Sequence, residues 1–294
     1  MVNVMSGPPQ PSGATLLIMP SLRVLAALAF LLAPLARAQK PSTPDAPPQT
    51  NTPADAALNP TLPTVFIVGD STARNEADLG WGDHFAPLFD TSRINVANRA
   101  IAGRSSRSYI NEGHWDHVLA EIKPGDFVLI QMGHNDGAEI GGPKRRGTLK
   151  GIGEETQDVP IKNSQPTGPL AGSVETVHTY GWYIRKCIAD TRAKGATPIL
   201  LTCTIRNIWK DGQIECDMGY RDFEYQIAAA QHVPIADMAT VAADRLQSLG
   251  PEKTAALFPI DHTHSSAEGA ALNARDVATA LRNIHSPLAA YPKP

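Results

Sequence analysis

Thr64-Val65-Phe66-Ile67-Val68-Gly69-Asp70-Ser71-Thr72 is the stretch that decides the fold. A nearly continuous apolar run stopped by glycine suits a strand buried on both faces, as in a parallel sheet. The pattern returns outward from it, in residues 126–132 after the Pro124-Gly125 turn and in residues 198–203. Residues 94–97 and 233–236 are shorter candidates. Between the strands lie helical spacings. Val174, Val177, Gly181, Ile184, Ile188 and Thr191 predict one amphipathic helix running to Lys194-Gly195. Ala270, Ala274, Val277, Leu281 and Ile284 predict a closing helix, with Ser265 and Glu268 as its capping box. Alternating strands and helices imply right-handed crossovers, a parallel sheet and helices on both faces.

Such a sheet carries its ligand site beyond the carboxyl ends of its strands. Three polar segments fall there. Gly69-Asp70-Ser71-Thr72 follows the first strand and would expose a serine beside free backbone amides. Gly133-His134-Asn135-Asp136 occupies the equivalent place after the third, where Asn135 would offer a side-chain N–H to an oxyanion. Asp261-His262-Thr263-His264 precedes the last helix, and an Asp three residues before a His can hold the imidazole tautomer that leaves Nε2 free. Taken singly, the first two read as turns with caps, and His262 with His264, two apart, could instead be metal ligands, though no carboxylate or cysteine set completes a site. Together, in the order Ser, Asp, His, they read as a catalytic triad. No G-x-S-x-G is present, and the glycines at 151 and 153 follow no strand, so neither an α/β-hydrolase elbow nor a dinucleotide fingerprint is supported.

Composition limits the alternatives. The 294 residues are 42% hydrophobic and 19% charged, enough for one sizeable core. A net charge of -3 gives no footprint for nucleic acid or an anionic membrane. Three cysteines are too few for a disulfide scaffold; Cys203 and Cys216 are read either as a pair or, with Cys187, as free thiols. Arg23, the apolar run to Ala33 and the Ala36-Arg37-Ala38 triplet predict an export signal over residues 1–38, cut after Ala38. Met19 suits the start of that signal better than Met1 does, so residues 1–18 are read as a possible gene-start artefact. Residues 39–63, rich in Pro, Thr and Ala, are expected to be a disordered linker. The remaining domain spans residues 64–286, and the protein is expected to be secreted or periplasmic, with no stable membrane association. Glu139 to Gly172 reads as a long Gly-, Pro- and charge-rich active-site loop.

Four blocks carry a family resemblance: Gly69-Asp70-Ser71-Thr72; Gly103 within Asn98-Arg99-Ala100-Ile101-Ala102-Gly103-Arg104-Ser105-Ser106; Gly133-His134-Asn135-Asp136; and Asp261-His262-Thr263-His264. From about Thr64 to Ile284 the chain resembles the SGNH (GDSL-like) hydrolases. Arg146-Gly147-Thr148-Leu149-Lys150-Gly151 and Val177-His178-Thr179-Tyr180-Gly181-Trp182-Tyr183 resemble their rhamnogalacturonan acetylesterase branch. The resemblance implies a flavodoxin-like three-layer α/β/α sandwich and ester hydrolysis with no cofactor or metal. It implies Ser71 as nucleophile, His264 as base and acid, and Asp261 as the residue orienting His264. The Ser71 and Gly103 amides and the Asn135 side chain would form the oxyanion hole. The implied partner is an acetylated polysaccharide or oligosaccharide, foremost rhamnogalacturonan or pectin; xylan, another glycan, a lipid or a thioester remain open. A carbohydrate-binding relative without activity is disfavoured by the intact Ser, Asn, Asp and His. Lys144, Arg145, Arg146 and Lys150 would draw a polyuronide if they face the cleft, and are otherwise a solvated loop.

Overall fold

The computed structural model describes residues 57–76, 78–161 and 173–293. The export signal and most of the linker lie outside the described residues. Residues 57–63, read as the end of the linker, are held on the domain. The Asn59 amide donates to Asn95 Oδ1 at 2.9 Å, and Lys123 Nζ donates to the Leu62 carbonyl at 2.8 Å.

Five parallel strands form the central sheet: β1 (Thr64–Val68), β2 (Asn95–Asn98), β3 (Phe127–Ile130), β6 (Thr197–Leu201) and β9 (Ile235–Ala236), in the order β2-β1-β3-β6-β9. This is the flavodoxin-like order, whose reversal point lies at β1 and β3. Every residue of β1 is buried, and its side chains divide by alternation. Val65 and Ile67, with Leu129 and Ile199, pack under α5 (Met238–Ala256) and α6 (Ala267–Asn283). Phe66 and Val68, with Val128 and Leu200, face α1 (Ser106–Asn111), α2 (His114–Glu121), α3 (Tyr180–Ala193) and α4 (Arg221–Gln231). Three layers result.

Two expectations need correction. The helix predicted from Val174 starts only at Tyr180. Val174–His178 is strand β5, paired antiparallel with β4 (Thr156–Pro160) inside the stretch read as loop. Val177 did fit a helical spacing, but it is buried as an inward residue of this ribbon. The cap of α6 is Ser266, whose hydroxyl accepts the Gly269 amide; Ser265 is buried and donates instead to the Leu79 carbonyl. A short hairpin, β7 (Trp209–Lys210) with β8 (Gln213–Ile214), follows β6. All three cysteines are free thiols.

Candidate active site

Ser71 sits in the turn immediately after β1. Asp70 is fully buried and builds that turn: its Oδ1 accepts the Thr72 amide at 2.8 Å and the Thr72 hydroxyl at 2.9 Å, while its carbonyl accepts the amides of Ala73 and Arg74. The Ser71 hydroxyl lies 2.9 Å from His264 Nε2. His264 Nδ1 lies 2.7 Å from Asp261 Oδ2. A carboxylate only accepts, so Nδ1 carries the hydrogen and Nε2 is left to accept from Ser71. Both ring nitrogens are thereby engaged, which leaves His264 no lone pair to share with His262 at a metal.

The loop around Asp261 is made by the same carboxylate. Its Oδ1 accepts the amides of Thr263 and His264, each at 2.7 Å. Burial raises the Asp261 carboxyl, but the hydrogen bonds from the His264 amide and ring and the Thr263 amide outweigh it and hold the group at about 2. Asp261 therefore stays ionised at any pH at which the site would work.

Two loops flank Ser71 because β2 and β3 flank β1. Gly103 follows β2 with φ of 76°, a conformation that costs glycine nothing, and an added Cβ would come within 2.7 Å of Arg146 Nη2. Gly133 follows β3 with φ of 148°, and a Cβ there would meet Cys203 Sγ at 2.6 Å. Among the described residues, no protein acceptor is bonded to the amides of Ser71 and Gly103.

The orientation of Asn135 is dictated twice over. Its Nδ2 donates to the Arg104 carbonyl at 2.9 Å, and its Oδ1 accepts from Arg146 Nη1 at 2.9 Å. A carbonyl cannot donate and a guanidinium cannot accept, so the amide has only one assignment compatible with both neighbours. One Nδ2 hydrogen stays uncommitted. Asp136 ties the loops together: its carboxylate accepts the Ser106 amide at 3.1 Å and the Ser106 hydroxyl in a short bond. Burial pushes that carboxyl up to about 7, against the Ser106 hydrogen bonds that lower it.

The basic residues of the long loop divide. Lys144, Arg145 and Arg146 line a cleft of about 340 Å³ beside Gly103, while Lys150 is exposed and not among its lining residues. Arg145 is committed to Glu175, at 2.9 Å, together with Arg107, which grips the same carboxylate at 2.7 and 2.8 Å. Arg146 is spent on Asn135. Lys144 has no acidic partner among the described residues. The role of Asp136 and the Arg146–Asn135 bond were not read from sequence; the first contact joins loops after different strands, the second lies within the irregular β3–β4 connection, and no local spacing signals either.

A family model described as GDSL-like lipase/acylhydrolase matches residues 67–272. The chain is 32% identical over 213 residues to a rhamnogalacturonan acetylesterase of Emericella nidulans, covering 71% of this chain and 80% of that one. It is 30% identical over 234 residues to a probable rhamnogalacturonan acetylesterase of Bacillus subtilis, covering 76% and 94%. Among solved structures, the crystal structure of a B. subtilis protein matches with a TM-score of 0.58 at 24% identity, over 76% of this chain and 57% of that one. This last likeness concerns the fold.

Proposed function

Because the chain belongs to the GDSL-like lipase/acylhydrolase family, we propose that it is a serine acetylesterase acting on acetylated cell-wall polysaccharide of the rhamnogalacturonan kind. The hydrogen-bonded line from Ser71 through His264 to Asp261 carries this reading. The names of its relatives supply the substrate class.

In this reading, His264 Nε2 takes the Ser71 proton as the serine oxygen attacks the acetyl carbonyl. The tetrahedral oxyanion accepts hydrogen bonds from the amides of Ser71 and Gly103 and from the free hydrogen of Asn135 Nδ2. Collapse breaks the bond to the sugar oxygen, which leaves as a hydroxyl with the proton returned by His264. Water, deprotonated by His264, then frees acetate from Ser71. Asp261 stays ionised throughout; it holds the ring and stabilises the imidazolium.

Acetate release from acetylated rhamnogalacturonan, acetylated xylan and 4-nitrophenyl acetate tests the proposal. The first should be the best substrate by kcat/KM. A preference for xylan would move the substrate while keeping the chemistry, and inertness toward all three would end the esterase reading. Export completes the proposal: purified extracellular protein should begin at Gln39, and one retaining residues 1–38 would contradict cleavage after Ala38.

A further inference from the structure

A second cleft of about 340 Å³ opens on the other side of Asn135, bordered by His134, Arg206, Met218 and Tyr220. Arg206 follows β6, so along the carboxyl edge of the sheet the order is Gly103, Ser71, Asn135, Arg206. This cleft thus lies on the opposite side of the serine from Lys144 and Arg146.

Arg206 differs from most arginines around the site. Arg104 is paired with Glu112, and Arg107 and Arg145 with Glu175. Arg206 has no carboxylate within ion-pair distance among the described residues. Among the described residues its guanidinium makes one hydrogen bond, a long one from Nη2 to the His134 carbonyl at 3.5 Å, and its Nε is buried with no partner there. A guanidinium N–H removed from water and left unsatisfied is costly, and a carboxylate accepting two parallel bonds is the group that fits its fork. Its place is built rather than incidental. Ile205 before it is buried, the Asn207 amide donates to the His262 carbonyl at 2.7 Å, and Asn207 Oδ1 accepts from Trp209 Nε1. The backbone carrying Arg206 is therefore bolted to the loop that carries His264. The neighbouring imidazole of His134 offers no rival charge, because burial disfavours its protonated form.

We propose that this cleft is a subsite for a carboxylate-bearing sugar unit next to the acetylated one, with Arg206 as its anchor. The subsite rests on the polysaccharide reading above. It assigns anion recognition to a residue outside the 144–150 loop. The volume lies at the low end of small-ligand sites and suits one sugar ring rather than a longer segment.

The test compares an acetylated oligogalacturonide with the same compound after methyl esterification of its carboxylates. The wild-type enzyme should favour the free acid in kcat/KM. Arg206→Gln should cut that preference roughly ten- to hundred-fold, the range for losing a hydrogen bond to a charged group. Arg206→Lys keeps the charge without the fork and should lose part of it, which serves if the Gln variant does not fold. Lys144→Ala controls for the other cleft. No preference in the wild type, or a preference kept by Arg206→Gln and lost by Lys144→Ala, would overturn the proposal. Failure to release acetate from either oligosaccharide and from acetylated rhamnogalacturonan, with 4-nitrophenyl acetate still hydrolysed, would remove the polysaccharide reading and this subsite with it.

Discussion

Replacing Arg146 by Ala should impair catalysis through Asn135 rather than directly. The guanidinium donates to Asn135 Oδ1 at 2.9 Å and so fixes which end of the amide is the donor. A hydrogen bond from a charged donor contributes about 1.5–3 kcal/mol. The second tether, from Nδ2 to the Arg104 carbonyl, survives the substitution and should retain part of the orientation. The lower end of that range is therefore appropriate, and about 1.4 kcal/mol corresponds to a tenfold loss in kcat. Deleting the donor itself, in Asn135→Ala, should cost about 10²–10³ in kcat. If Arg146 works by holding Asn135, it has little left to hold once Asn135 is gone. Arg146→Ala should then cost less than about twofold in the Asn135→Ala background, a coupling of order 1 kcal/mol or more. The assay is kcat and KM on 4-nitrophenyl acetate for the two single variants and the double. This small neutral ester reports the chemical step without polysaccharide contacts. An equal tenfold loss in both backgrounds would refute positioning and place the guanidinium charge directly on the oxyanion.

Three further outcomes are expected. Gly133→Ala should lose on the order of 2–3 kcal/mol of stability by urea unfolding, from strain at φ of 148° and the 2.6 Å approach to Cys203 Sγ; unchanged stability would mean the loop yields freely. Burial raises the Glu224 carboxyl to about 8 and Asp136 to about 7, so between the ordinary carboxylate range and pH 8 the native state binds more protons than the unfolded chain. Stability should therefore fall as pH rises through that window, and Glu224→Gln should flatten the fall in thermal melts; an unaltered slope would absolve Glu224. If Lys144 and its neighbours attract a polyuronide, added salt should raise KM for it more than for the neutral ester, as the Debye length shrinks from about 10 Å at 0.1 M to about 3 Å at 1 M; a flat ratio makes the loop a solvated one.

The parts legible in the sequence were those written locally. Five consecutive buried residues ending at Gly69 announce a central strand, and an Asp three residues from a His in one turn can be read as a contact. β5 was misread because Val174 and Val177 fit a helical step by chance. Its partner β4, Thr-Gln-Asp-Val-Pro, buries only Val159 and so lacks the apolar alternation that marks a strand. Ser265 and Ser266 cap equally well on paper; the choice between them is made by the distant Leu79 carbonyl. The charge on Arg145 and Arg146 was visible, but not its use. Glu175 lies 30 residues from Arg145, and Asn135, though only 11 residues from Arg146, is met through the fold of an irregular connection that has no repeating spacing. Arg206, one arginine after a buried strand, carries no local pattern at all.

The central claim, that Ser71 is the nucleophile, is tested most directly by acetate release from acetylated rhamnogalacturonan by wild type and Ser71→Ala. Matched circular dichroism should show that both are folded. The variant should lose at least about 10³ of kcat, since triad members act as a unit. A Ser71→Ala protein that releases acetate at near the wild-type rate would contradict the account.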